Sequence, residues 1–210
     1  MTAWVAAIVV AAYGSLALEL TVLHVASVAS SRRIWSAPAD VVDGYSPLYR
    51  RLFRWPKAAK VLAFGLPLLL IYGVYAYPLL VLSAGPDLLG DYIFVPAVAT
   101  DVRGAALVVC GRALALGAVL TIRRGNDQTG ASFRLHTGGP FRWSRNPGLL
   151  GMYWFVAGLW LLTPSAAMLI GIVLYVAYMD FKVRMEEDFL TNKFGSSYVE
   201  YRLRTGRYLP

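Results

Sequence analysis

Apolar residues in this chain fall into long runs, and the polar residues collect in the gaps between them. A helix needs about 20 apolar residues to cross ~30 Å of hydrocarbon. Five runs meet or approach that length: about Trp4 to Val28, about Ala58 to Leu82, a stretch within Tyr92 to Ile122, Pro147 to Leu162, and about Ser165 to Met179. The second run contains Pro67 and Pro78. The third is too long for one straight span and carries Asp101, Arg103 and Arg112, so the pattern predicts a break near Thr100 to Gly104. Only Thr163, Pro164 and Ser165 separate the last two, which predicts a tight helical hairpin. The expected fold is all-α: a polytopic membrane bundle of about five transmembrane helices, closed by a C-terminal hairpin and a cytoplasmic cap.

Composition agrees with the pattern. Of 210 residues, 58% are hydrophobic and 15% charged, where a soluble domain carries about 25% charged residues. Mean hydropathy is +0.54. Little is left over for a separate soluble domain. The first run lacks a basic leader and is too long for a signal peptide, so it reads as a retained span. A lone cysteine, Cys110, allows neither a disulfide framework nor a cysteine metal site. Two histidines, His24 and His136, are too few for a zinc or di-iron centre, so no metal is expected.

Charge sets the orientation. All of the 20 lysines and arginines except Arg103 and Arg112 lie between spans one and two, between spans three and four, or after span five. With five spans these segments share one side, while the opposite loops hold Asp87 and Asp91. The positive-inside rule makes the basic side cytoplasmic and the N-terminus external, as for a protein of a bacterial inner membrane. The net charge of +8 is then accounted for by orientation and anionic lipid, and no nucleic acid is expected.

The remaining polar chemistry lies in the last third. Asn146 and Pro147 suit the N-cap and first position of a helix. That is a plain helix start, or it is a place where free N–H groups and the helix dipole hold a carboxylate or phosphate beside Arg145. Gly148 and Gly151 leave room for a ligand or a neighbouring helix. Glu186 and Glu187 follow span five, as a solvated patch beside Lys182 and Arg184 or as a carboxylate pair binding a cation. Beyond them Phe189, Leu190 and Phe194 are apolar and Gly195 suits a C′ position. Ser197-x-x-Glu200 reads as a capping box. Tyr198, Tyr201 and Tyr208 suit a membrane interface. Glu19, His24 and Arg112 fall within apolar runs, where ionisable residues are functional suspects; a structural Glu19–Arg112 pair, or snorkelling toward the interface, is the plainer alternative.

These segments, "GGPFRWSRNPGLLG" and "EEDFLTNKFGSSYVEYRLRTGRYLP", resemble the C-terminal half of the isoprenylcysteine carboxyl methyltransferase and phospholipid methyltransferase superfamily. Gly139, Pro140, Phe141, Arg145, Pro147, Gly151, Glu186, Glu187, Leu190, Phe194, Gly195, Tyr198, Tyr201 and Pro210 fit its pattern. Asn146 replaces the usual histidine and Leu149 the usual tyrosine. The resemblance covers about residues 135–210.

The resemblance implies an integral membrane methyltransferase that moves a methyl group from S-adenosylmethionine to a lipophilic acceptor entering from the bilayer. Residues 1–134 would form the acceptor-side spans and 135–210 the methyltransferase region. Arg145 and Glu187 would be catalytic. His136, Gly139, Pro140, Phe141, Arg145, Asn146, Pro147, Leu149, Gly151, Glu186 and Glu187 would bind the cofactor. In that arrangement the cofactor's carboxylate meets Arg145 and the helix start, and its cationic groups face Glu186 or Glu187. Phe141, Trp143 and Tyr153 flank the adenine or the sulfonium. The acceptor would be an isoprenylcysteine-type carboxylate, or a lipid amine or thiol; the lack of an evident dedicated base favours a carboxylate or a self-ionising acceptor. Two rivals stand beside this reading: a membrane NADPH-dependent reductase of the sterol type, against which the acidic doublet argues, and a non-catalytic scaffold or transporter.

Overall fold

The structure, a computed structural model, describes residues 2–21, 42–84, 92–125 and 134–209. The chain is built from helices: α1 (Ala3–Thr21), α2 (Pro47–Phe53), α3 (Lys57–Lys60), α4 (Leu66–Ala84), α5 (Val98–Gly125), α6 (Pro147–Leu162), α7 (Ala166–Phe194) and α8 (Ser196–Arg204). Three rods, Lys57–Ser83, Val98–Arg124 and Ala166–Phe194, are long and apolar enough to cross a membrane; Ala3–Glu19 and Pro147–Leu162 are shorter apolar helices. The protein is an all-α integral membrane bundle. His24, Arg32, Arg33, Asp87 and Asp91 lie outside the described residues, as does the end expected for the first span.

Local chemistry explains the shape of each rod. Between α3 and α4 a π turn, Val61–Gly65, precedes Pro67. Proline has no N–H to donate and its ring crowds the carbonyl four residues back, and a widened turn relieves both. Pro78 lies inside α4. The break expected near Thr100 to Gly104 is absent, and α5 is continuous. Asp101 sits in its first turn, where the helix dipole favours a carboxylate.

Gly104 is a contact point, not a hinge. It belongs to a glycine seam between antiparallel α5 and α6. A Cβ on Gly111 would stand 2.5 Å from the Gly151 carbonyl oxygen and 2.6 Å from the Phe155 nitrogen. One on Gly158 would stand 2.6 Å from the Gly104 oxygen. The seven-residue spacing of Gly104 and Gly111, matched by Gly151 and Gly158, lets the two backbones touch. Small residues serve this purpose in membranes, where lipid is as apolar as leucine and close packing replaces the hydrophobic drive. Gly151 thus makes room for α5.

Arg112 pins α1 to this pair. Its guanidinium donates to Glu19 Oε2, to Ser15 Oγ (3.0 Å) and to Met152 Sδ (3.2 Å), and lies 5.7 Å above the Phe155 ring. Both charged residues are buried. The pair is structural in form: each charge neutralises the other away from water.

At the hairpin, Ile93 N–H donates to the Pro164 carbonyl (2.7 Å) and Thr163 Oγ to the Leu159 carbonyl (2.8 Å). From there α7 runs unbroken past Met179, the expected end of the span, to Phe194. Its polar extension is held from one side by α2, through a cluster of Tyr45, Met185 and Phe189 with Tyr49, Leu52, Phe53 and Leu190. Asp188 accepts from the Ser46 N–H at the start of α2 (2.7 Å). Gly195, at φ +54°, turns the chain into α8. Gly195 itself takes the N-cap position of α8 and Ser197 falls inside the first turn, so the expected capping box does not form.

Candidate active site

Three segments meet at the basic end of the bundle: the start of α6, the polar extension of α7, and the strap after α8, residues 205–209. The strap is tied along its backbone. Arg145 N–H donates to the Gly206 carbonyl (2.9 Å). Ser144 Oγ (3.2 Å) and Asn146 Nδ2 (3.1 Å) both donate to the Arg207 carbonyl. Asn146 does occupy the N-cap of α6, but its side chain makes no capping bond; it reaches the strap instead. The position therefore calls for a hydrogen-bond donor, which asparagine and histidine share. The α8 hydroxyl of Tyr201 closes the other side by donating to the Phe141 carbonyl (2.7 Å). Burial pushes that phenol up to about 12.

Glu187 lies at the centre and is buried. Its Oε1 stands 3.2 Å from Arg145 Nη2 and accepts from Arg207 Nε at 3.2 Å, and its Oε2 accepts from Arg207 Nη2 at 2.8 Å. These bonds to Glu187 raise the pKa of Arg207 above its ordinary value. Asp180, seven residues before Glu187 and so on the same helical face, accepts from Arg184 Nε (2.7 Å), Arg207 Nη1 (3.5 Å) and the Tyr208 hydroxyl (3.1 Å). Burial, with the neighbouring Tyr153 and Asp180, raises Tyr208.

Arg145 is incompletely used. Its Nη2 faces Glu187, but Nε and Nη1 are buried and find no hydrogen-bond partner among the described residues. Buried donors are normally satisfied, and leaving one bare costs about 1–3 kcal/mol. Beside them the first turn of α6 adds N–H groups with no helical acceptor, the Asn146 side chain being turned away. Two orphan guanidinium nitrogens and an uncapped helix start make a site for a carboxylate-sized anion.

The expected site residues divide as follows. Arg145, Asn146, Pro147 and Glu187 converge. Gly139 (φ +58°), Pro140 and Phe141 form a short 3-10 turn, Gly139–Arg142, beside them. His136 lies 6.3 Å from the Phe141 ring, centroid to centroid, and burial lowers its pKa, aided by Arg134. Leu149 is half-buried in the first turns of α6, and Gly151 is spent on packing against α5. Glu186 does not join Glu187: adjacent helical positions point about 100° apart, and Glu186 is exposed. The doublet is thus not a two-carboxylate cation site. Trp143 is 71% exposed and stands away from the cluster. Sequence reasoning missed Asp180, Ser144 and Arg207. Arg207 was one basic residue among many, whereas the seven-residue spacing of Asp180 and Glu187 was a readable signal.

The phospholipid methyltransferase family model matches residues 100–197. The protein-S-isoprenylcysteine O-methyltransferase of Saccharomyces cerevisiae is 35% identical to this chain over 74 residues, which cover 34% of this chain and 30% of the yeast protein. The match thus spans under a third of that relative. No solved structure matches the chain.

Proposed function

We propose that this chain, which belongs through its C-terminal half to the isoprenylcysteine carboxyl methyltransferase and phospholipid methyltransferase superfamily, transfers a methyl group from S-adenosylmethionine to a lipophilic acceptor in the bilayer. The observation that carries this reading is that Nε and Nη1 of the largely covered Arg145 side chain find no hydrogen-bond partner among the described residues. Residues 135–210 form the donor site and residues 1–134 the acceptor side. The basic end of the bundle faces the cytoplasm and the N-terminus lies outside.

The residues present fit the donor. Its carboxylate would satisfy the orphan nitrogens of Arg145 and the start of α6. Glu187 fixes the guanidinium in place and balances part of the positive charge. Tyr153, Tyr208 and Phe141 offer ring faces to a cation. When bound, S-adenosylmethionine supplies a methyl group already activated by a positively charged sulfur. The protein's part is alignment and exclusion of water. The strap would serve both, because Arg145, Ser144, Asn146 and Glu187 all hold it against the start of α6 and the extension of α7. A polyanionic dinucleotide fits poorly: Arg145 and Arg207 share Glu187, and Asp180 adds a second negative charge.

Thermal unfolding of the detergent-purified protein tests this. S-adenosylhomocysteine at about 100 times its Kd stabilises by about 2.7 kcal/mol, while NADPH leaves Tm unchanged. Stabilisation by NADPH alone, or none by S-adenosylhomocysteine, overturns the assignment.

A further inference from the structure

A row of tyrosines runs from the bundle interior to the strap. Tyr75 on α4 donates to the Tyr175 hydroxyl on α7 at 3.0 Å. The Tyr175 ring meets Tyr153 of α6 edge-on, with centroids 5.7 Å apart. Tyr153 packs on Tyr208 of the strap at 5.5 Å, and the Tyr208 hydroxyl donates to Asp180 Oδ1 at 3.1 Å. Within this row one group is unfinished. The Tyr153 hydroxyl oxygen is buried close to that of Tyr208, yet makes no hydrogen bond of good geometry among the described residues. Buried hydroxyls are ordinarily satisfied. This one stands where the apolar helices α6 and α7 meet the strap.

Building on the methyltransferase reading, we propose that Tyr153 is a catalytic residue: its hydroxyl holds the reacting atom of the acceptor and passes that atom's proton through Tyr208 to Asp180. The hydrogen bonds run in one direction. With the acceptor in place, its X–H donates to Tyr153 Oη and Tyr153 turns its own proton to the neighbouring Tyr208 hydroxyl, which already donates to Asp180. As the acceptor's lone pair bonds to the methyl carbon, the carbon–sulfur bond breaks and its electron pair stays on sulfur, which leaves as a neutral thioether. The proton lost by the acceptor enters the row; each hydroxyl accepts one proton and gives one up. Asp180, with 27% of its side chain exposed, takes the last and releases it to water. The acceptor therefore carries a proton on its reacting atom, which narrows the field to an amine, thiol or hydroxyl. With the free nitrogens of Arg145 taken by the donor's carboxylate, a carboxylate acceptor would find the other nearby guanidiniums engaged: Arg207 by Glu187 and Asp180, Arg184 by Asp180, and Arg112 by Glu19.

The test uses the full chain reconstituted with a total lipid extract of the membranes it is purified from, and S-adenosylmethionine tritiated on its methyl group. Label is expected in lipid, in a form stable to alkali. Tyr153→Phe, which removes an oxygen that makes no well-formed hydrogen bond among the described residues, is expected to fold normally and to bind S-adenosylhomocysteine within about twofold of wild type. Its turnover is expected to fall by about 100-fold or more, the usual worth of a positioned proton-transfer group, and Tyr208→Phe in the same direction. Label released by alkali as volatile methanol marks a methyl ester and overturns the proposal, as does full turnover by Tyr153→Phe. Failure of the wild type to bind S-adenosylhomocysteine is a different outcome, and strikes the methyltransferase reading itself.

Discussion

Glu187→Gln keeps the shape of the side chain and removes the one charge that Arg145 and Arg207 share. Exposure is 8% for the Glu187 side chain, 10% for Arg145 and 28% for Arg207. At 3.2 Å and an effective dielectric of about 20, the Arg145–Glu187 attraction is ~5 kcal/mol. Desolvation offsets part of that in the intact pair, but not when one partner is removed, because the other charge then stays buried alone. Breaking a buried pair costs about 3–5 kcal/mol. The more exposed Arg207 adds at most ~1 kcal/mol, since water screens it. At about 2–4 °C per kcal/mol for a chain of this size, detergent-purified Glu187→Gln is expected to melt on the order of 10 °C below wild type. Glu186→Gln serves as the control and is expected to stay within about 2 °C, as surface changes do. Arg145→Gln combined with Glu187→Gln should cost less than the two separate losses added together. Equal melting of Glu187→Gln and wild type, or equal harm from the two glutamate changes, would refute the buried pairing.

Asn146→Ala is expected to weaken the strap by about 0.5–1.5 kcal/mol through loss of its bond to the Arg207 carbonyl, and Asn146→His to restore it; the rate of limited proteolysis after Arg204 reads both. Gly111→Ala is expected to lose about 1–3 kcal/mol by forcing α5 and α6 apart. Gly148→Ala, whose added Cβ would meet Ala118 at an ordinary 3.6 Å, is expected to be tolerated, and thermal unfolding separates the two. The Tyr201 phenol is held at about 12 against 10 in an unfolded chain. The folded state therefore keeps a proton that the unfolded state loses, so this stabilisation is complete below pH 10 and disappears as pH rises towards 12. Tyr201→Phe is expected to flatten that part of the alkaline unfolding curve.

The spans and the hairpin were legible because long apolar runs between basic segments have few other solutions in a chain this hydrophobic. The length of α7 was not. Its composition changes from apolar to charged near Met179 while its helical propensity persists, so hydropathy marks an end that the backbone ignores. Continuing the helix would have separated Glu186 from Glu187 and aligned Asp180 with Glu187. Gly104 carried the opposite ambiguity. Glycine beside charges resembles a break, and only the matching spacing on α6 reveals a packing seam. For Asn146, its position at a helix start was readable, but the carbonyl it serves lies 61 residues away. Arg207 was hidden for the same reason: long-range pairing leaves no local pattern.

The claim on which the site rests is that Arg145 awaits a carboxylate. Calorimetric titration of detergent-purified wild type and Arg145→Gln, each with S-adenosylhomocysteine and with its decarboxylated analogue, measures this directly. A charged hydrogen-bonded contact of about 1.5–3 kcal/mol should make the wild type prefer the intact ligand by about 10- to 150-fold, with little preference left in Arg145→Gln. Equal affinity of the wild type for both ligands would contradict the assignment.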